Sequence, residues 1–230
     1  YYTKTGELRG VEALIRWKDE ENHMISPAVF IPIAEKNGAI IPIGKWVIEE
    51  SIRHYAEWKR KYQIPMVMSI NISAIQYKRK DFVSKLLEIL KKYEVKPNEI
   101  ELEITESILI EDFAEVKDKL LLLRDYGLKI SLDDFGTGFS SLSYLNGLPI
   151  DTLKIDKSFI DKVGKDESTR IITESIIAMV NKLGYESVAE GVETEDQFAY
   201  LKRIGCDIIQ GYLLGKPTVS YTHLTLPTNR

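Results

Sequence analysis

Cysteine is nearly absent: Cys206 is the only one among 230 residues. No internal disulfide can form, and the chain reads as a protein of a reducing compartment, the cytoplasm. Cys206 itself reads as a packed apolar residue. Histidine is scarce too. His23, His54 and His223 stand apart, without the spacing of a zinc site. No run approaches the ~20 apolar residues of a membrane span, and no stretch has the pattern of a secretory signal. No membrane contact is therefore expected in this segment. Excess positive charge is also missing: 31 Lys and Arg stand against 35 Asp and Glu, a formal net charge of −4. That excludes a surface built to hold long nucleic acid, but not a small anion met by a metal. GTGFSS (136–141) lacks the Gly-Lys-Ser/Thr of a P-loop. DFG (134–136) has neither the HRD loop nor the glycine-rich loop of a kinase around it. WKRKY (58–62) and KRK (78–80) read as solvated helix faces.

What is present is an alternation. Hydrophobic residues make up 44% and charged residues 29%, the profile of a globular domain. Short β-rich runs occur at 11–17, 66–73, 99–105, 128–133, 152–156, 186–191 and 207–211. Between several of them lie helical periods, at 46–62, 81–93, 115–127 and 168–184. Ser168 is the expected N-cap of the last, and glycines 127 and 184 are expected to close the last two. Repeated βα units imply a parallel sheet. Seven strands are one short of a (β/α)8 barrel of ~250 residues. A doubly wound open sheet is the competing fold.

The placement of polar residues favours the barrel. Residues i and i+2 of a strand share a face. Ser69 and Asn71, Glu101 and Glu103, Ser131 and Asp133, and Lys154 and Asp156 form such pairs, each near the C-terminal end of an apolar run. Glu12 and Glu190 end their runs similarly. Barrel active sites collect at that end. Glu12, Glu103, Asp133, Asp134 and Glu190 together cannot stay ionised in a cleft without cations. With Asn71 as a neutral oxygen donor and Lys154 as the lone cation, the set suits hard divalent ions, Mg²⁺ or Mn²⁺. Adjacent Asp133 and Asp134 could serve two ions, with Asp133 bridging, an arrangement suited to displacement at phosphorus. From the residues alone, a metal site and a scatter of loop caps and surface charges both stay open.

The motifs together resemble those of the EAL-domain family of cyclic di-GMP phosphodiesterases. EALIRW stands at 12–17, NIS at 71–73, ELEITES at 101–107, DDFGTGFSSLSYL at 133–145, LKID at 153–156, AEGVET at 189–194 and QGYLLGKP at 210–217. The resemblance implies an EAL-type TIM-like α/β barrel over residues 1–220. It implies two Mg²⁺ or Mn²⁺ ions, one held by Glu12, Asn71, Glu103 and Asp133, the other by Asp133, Asp134 and Glu190. Lys154, Glu190 and Gln210 are implied as catalytic groups. Leu14, Arg16 and Asp156 are implied as substrate contacts. Glu106 is implied to steady the loop 135–145, and Glu193 to be a further polar residue near the site. The implied reaction is hydrolysis of cyclic di-GMP to linear pGpG, lowering a bacterial second messenger. A homodimer and upstream GGDEF or sensor domains, membrane-bound in some relatives, are implied partners.

Both ends depart from the family pattern. YYTKTGELRG opens within the turn before EAL, so a first strand is expected to be missing and the barrel to expose edges there. YTHLTLPTNR (221–230) lacks a helical period, so the last helix is also expected to be missing and this tail to be non-native or disordered. The alternative function is an inactive cyclic di-GMP receptor. Such relatives lose metal ligands, whereas every matched position is intact here.

Overall fold

Seven short apolar runs line up as one parallel sheet. The computed structural model describes residues 1–109, 113–136 and 145–218. The strands are β1 (Gly10–Ala13), β4 (Val67–Asn71), β5 (Ile100–Thr105), β6 (Lys129–Phe135), β7 (Thr152–Ile155), β8 (Glu186–Ala189) and β9 (Ile208–Ile209). They pair in the order β1-β4-β5-β6-β7-β8-β9. Spatial order follows chain order, so the sheet lacks the reversal that defines a doubly wound fold.

The two faces of the sheet differ in chemistry. Ile70, Leu102, Ile130, Leu132, Leu153 and Ile155 alternate with Ser69, Glu101, Ser131, Asp133, Thr152 and Lys154. The first set is buried in the apolar core with the helices. The second set faces the concave interior, where its members reach one another across several strands. A parallel sheet usually buries apolar residues on both faces. Here the inner face is polar, and that places the chemistry inside.

The sheet curls until its ends meet. Gln210, one residue past β9, donates from Nε2 to Glu12 Oε2 of β1 at 2.7 Å. Tyr2 forms an antiparallel bridge to Ile208, and its N–H donates to the Glu7 carbonyl. Tyr1 and Thr3 exchange backbone hydrogen bonds with residues 207–209. Tyr1–Thr3 thus stand in the eighth place as a short antiparallel stretch. The turn expected from the first residue begins only after them.

Helices cover the convex face: α1 (Pro27–Asn37), α2 (Ile40–Tyr62), α3 (Ala74–Tyr77), α4 (Phe82–Lys92), α5 (Phe113–Asp125), α6 (Lys157–Ile160), α7 (Glu167–Lys182) and α8 (Glu195–Arg203). The long ones bury one stripe at helical spacing, such as Ile48, Ile52, Tyr55 and Ala56 of α2. α7 is capped by Asp166, not Ser168; its carboxylate accepts from the Thr169 N–H at 2.9 Å. Gly127 and Gly184 follow α5 and α7 with φ of 95° and 81°, the left-handed exit a glycine permits. The run expected at 11–17 stops at Ala13. Trp17–Lys18 (β2) pairs instead with Met24–Ile25 (β3) in a separate antiparallel ladder. The tail 221–230 lies outside the described residues.

Gly10 shows how tightly β1 is seated. A Cβ there would lie 2.3 Å from the Val67 carbonyl oxygen. Gly10→Ala must push β1, and with it Glu12, away from β4. We expect a loss of about 1–3 kcal/mol in unfolding free energy, read from urea denaturation.

Candidate active site

The interior residues converge on one ammonium group. Lys154 Nζ lies 2.7 Å from Glu190 Oε1, 2.9 Å from Glu103 Oε2, 3.1 Å from Asp133 Oδ1 and 3.9 Å from Glu12 Oε2. Lys154 and Glu103 are each 3% exposed. Burial opposes the lysine charge, but Glu103, Glu12, Glu190 and Asp133 outweigh it and hold the ammonium well above its ordinary value. Burial lifts the Glu103 carboxyl well above the usual range despite Lys154. Burial also pushes Glu190 up to about 7, with Lys154 opposing and Asp133 adding repulsion.

Strand register delivers these groups. Glu12 pairs with Ser69, Asn71 with Glu103, and Thr105 with Asp133 along successive ladders. Both oxygens of Glu12 are held by amides: Asn71 Nδ2 donates to Oε1 and Gln210 Nε2 to Oε2, each at 2.7 Å. Glu12 is therefore aimed by its neighbours on both sides of the closure.

Asp133 and Asp134 share one side through a local break in the strand. Adjacent strand residues normally point to opposite faces. The β6–β7 register shifts between Leu132 and Phe135. Asp134 takes a φ of 56°, and its N–H donates to Asp133 Oδ1 at 2.9 Å. Such irregularities re-aim side chains. As a result, carboxylate oxygens of Asp133, Asp134 and Glu190 lie within 4.8 Å of one another. Burial, then repulsion from Asp133, raises the Asp134 carboxyl.

This donor set fits a divalent cation. All donors are oxygen, and one ammonium stands among four carboxylates. Among the described residues, Asp133, Asp134 and Glu190 are the acids drawn close enough to share an ion. Glu12, Asn71 and Glu103, the other expected ligands, are engaged with Lys154 and with one another.

The remaining expected residues make no direct contact with Lys154 among the described residues. Leu14 is 42% exposed, and exposed Arg16 donates from Nη1 to the neighbouring Ile15 carbonyl. Asp156 caps α6, accepting from the Ser158 N–H at 3.0 Å. Glu106 Oε1 accepts from the Gly136 N–H at 3.4 Å. Glu193 pairs with Lys157, whose ammonium also stands 6.0 Å from the Tyr212 ring centre. Residues 137–144 of the loop assigned to Glu106 lie outside the described residues. Ser69 and Glu101, expected near the strand ends, sit one layer deeper, around Arg9. Sequence reasoning missed that layer. Its signal was a lone arginine placed just before an apolar strand.

Raised carboxyl values have a thermodynamic consequence. Between the ordinary value of 4.5 and about 7, Glu190 binds more protons in the folded chain than in the unfolded one. Stability of the cation-free protein therefore falls as pH rises through that window. Melting curves in a chelator should shift downward from about pH 5 to about pH 7.5, and saturating Mn²⁺ should flatten the slope. A melting temperature that rises with pH in chelator contradicts the burial assignment.

The comparisons with known proteins agree on the family. Residues 1–217 match the EAL domain. The chain is 39% identical over 213 residues to a Pseudomonas aeruginosa protein named as a cyclic di-GMP phosphodiesterase, covering 93% of this chain and 36% of that one. It is 40% identical over 212 residues to the P. aeruginosa bifunctional diguanylate cyclase/cyclic di-GMP phosphodiesterase MucR, covering 92% and 31%. The chain thus spans about a third of the length of these relatives. Among solved structures, a MucR phosphodiesterase in complex with c-di-GMP superposes with a TM-score of 0.88 at 40% identity, over 92% of this chain and 86% of that one. An EAL enzyme in its cAMP- and cyclic-di-GMP-bound form gives 0.91 at 36% identity, over 95% and 60%. The seven-stranded curled sheet, the acids gathered on Lys154 and this match over residues 1–217 lead to one conclusion: the chain belongs to the EAL domain family.

Proposed function

We propose that this chain hydrolyses cyclic di-GMP to linear pGpG with two divalent ions, Mg²⁺ or Mn²⁺. The observation that carries the reading is the convergence of Asp133, Asp134 and Glu190 beside the Lys154 ammonium. The names of the similar proteins supply the substrate.

Asp133, Asp134 and Glu190 would hold one ion, and Glu12, Asn71, Glu103 and Asp133 the other. Bound there, divalent ions supply Lewis acidity and charge neutralisation at phosphorus, and lower the pKa of an attacking water. The chain's own groups do the rest. Lys154 Nζ, fixed by its carboxylates, orients the attacking water. Gln210 donates to Glu12, and its side-chain carbonyl can accept from the same water. Glu190 would take the water's proton and pass it on to the leaving oxygen. Arg16 at the rim offers a planar fork to a phosphate, with Leu14 beside it. The water oxygen bonds to phosphorus, the P–O3′ bond breaks, and the leaving 3′-oxygen takes a proton. Cytoplasmic location, a second copy as partner and a place beside cyclase or sensor domains complete the proposal.

Incubation with cyclic di-GMP and Mn²⁺, followed by chromatography, should yield pGpG. Asp133→Asn should reduce the rate by more than about 100-fold, beyond the loss typical of outer-shell partners. Binding of the dinucleotide without product, in folded protein with Mn²⁺, identifies a receptor instead.

Lys154→Met removes the internal cation and leaves four acids facing one another. The variant should lose several degrees in melting temperature in chelator, with Mn²⁺ restoring part of it, because breaking a buried pair leaves uncompensated charge. Differential scanning calorimetry with and without Mn²⁺ reads both effects.

A further inference from the structure

Beneath the acids lies a second polar layer. Arg9 Nη1 donates to Glu101 Oε2 at 2.6 Å and Nη2 to Glu101 Oε1 at 2.5 Å, a bidentate pair. Nη2 also reaches Thr152 Oγ1 at 3.2 Å and Glu186 Oε2 at 3.5 Å. Ser69 and Thr152 hydroxyls donate to the same carboxylate at 2.7 and 2.9 Å. Arg9 is 8% exposed and Glu101 2%. One ion pair therefore links the residue before β1 with β4, β5, β7 and the start of β8.

The layer stands in step with the site. Ser69 precedes Asn71, Glu101 precedes Glu103 and Thr152 precedes Lys154, each by two residues on one strand. Arg9 precedes Glu12 by three. Two residues of strand rise span ~7 Å, one step along the inner face. Barrel interiors are ordinarily filled by branched apolar residues. A buried ion pair costs desolvation that such residues would avoid, and apolar replacement is often neutral or stabilising. Stability alone does not account for this pair. The acids one step above repel one another and favour splayed strand ends, whereas a bidentate crosslink holds those strands at a set distance.

We propose that Arg9 and Glu101 are positioning residues: their crosslink fixes the spacing of β1, β4, β5 and β7 so that Glu12, Asn71 and Glu103 present one divalent-cation site beside Lys154. This rests on the metal-dependent reading of that site given above. The pair is neutral in sum. Removing both partners leaves the net charge of the layer unchanged, so a loss of affinity reports geometry.

The test is calorimetric titration of Mn²⁺ into the wild type and into Arg9→Met/Glu101→Leu, with melting curves for both. The double variant is expected to stay folded and melt within a few degrees of the wild type, since apolar replacement of the ion pair offsets the acceptor lost to Ser69 and Thr152, yet to bind Mn²⁺ about 10-fold or more weakly, the scale set by supporting residues of metal sites. Wild-type Mn²⁺ affinity in the folded double variant overturns the proposal, leaving the pair a packing feature. If the double variant does not fold, Ser69→Ala/Thr152→Val removes two of the hydrogen bonds to Glu101 and no charge. A drop in its Mn²⁺ affinity of about threefold supports the proposal, and an unchanged affinity overturns it. Failure of the metal reading itself appears in the wild type, as no Mn²⁺ binding, and takes this inference with it. Failure of this inference alone appears only in the variants.

Discussion

The acids at the strand ends are gathered around the buried ammonium of Lys154. Four carboxylates face it from β1, β5, β6 and the end of β8. Without it the acids would have to neutralise by taking up protons or force the strands apart. With it, the cluster stays gathered but short of positive charge. That shortage is the chemical opening for a divalent cation, and the strand positions follow from the need to bring the acids to one centre. The polar inner face breaks the usual two-sided apolarity of a parallel strand, and the helices compensate by sealing the outer face.

Much of this was legible in the sequence. Seven apolar runs with polar residues at period two near their ends announce an inward face, and Glu12, Glu103, Asp133, Lys154 and Glu190 meet as that pattern implies. Other features depend on contacts distant along the chain. The Asp134 irregularity is a change of φ at one residue, invisible to a period-two count. The Arg9 layer draws its partners from residues 92 and 143 positions away. α1 and α8 went unread, although Thr194 and Gln197 form a capping box that marks the start of α8. Ser168 was the expected cap of α7, but Asp166 does the capping, and the serine hydroxyl donates to it. A short polar run offers several candidates, and only the backbone direction chooses among them.

Asp156 and Glu193, whose roles come from the resemblance, make local contacts in this structure. Both sit beside the site in the chain, yet one caps a four-residue helix and the other pairs with an exposed lysine. The centre belongs to the groups that face Lys154.

The closure between β9 and β1 carries one further consequence. The Tyr1–Thr3 stretch hydrogen-bonds to residues 207–209 at one level, and the Gln210–Glu12 hydrogen bond joins the two ends of the sheet at another. The second of these also holds an acid of the Lys154 cluster. Gln210 and Asn71 each take one lone pair of the Glu12 carboxylate, and its two oxygens keep acceptor capacity toward the interior. One carboxylate therefore both ties the last strand to the first and faces the buried ammonium, so the seam and the acid cluster share a side chain.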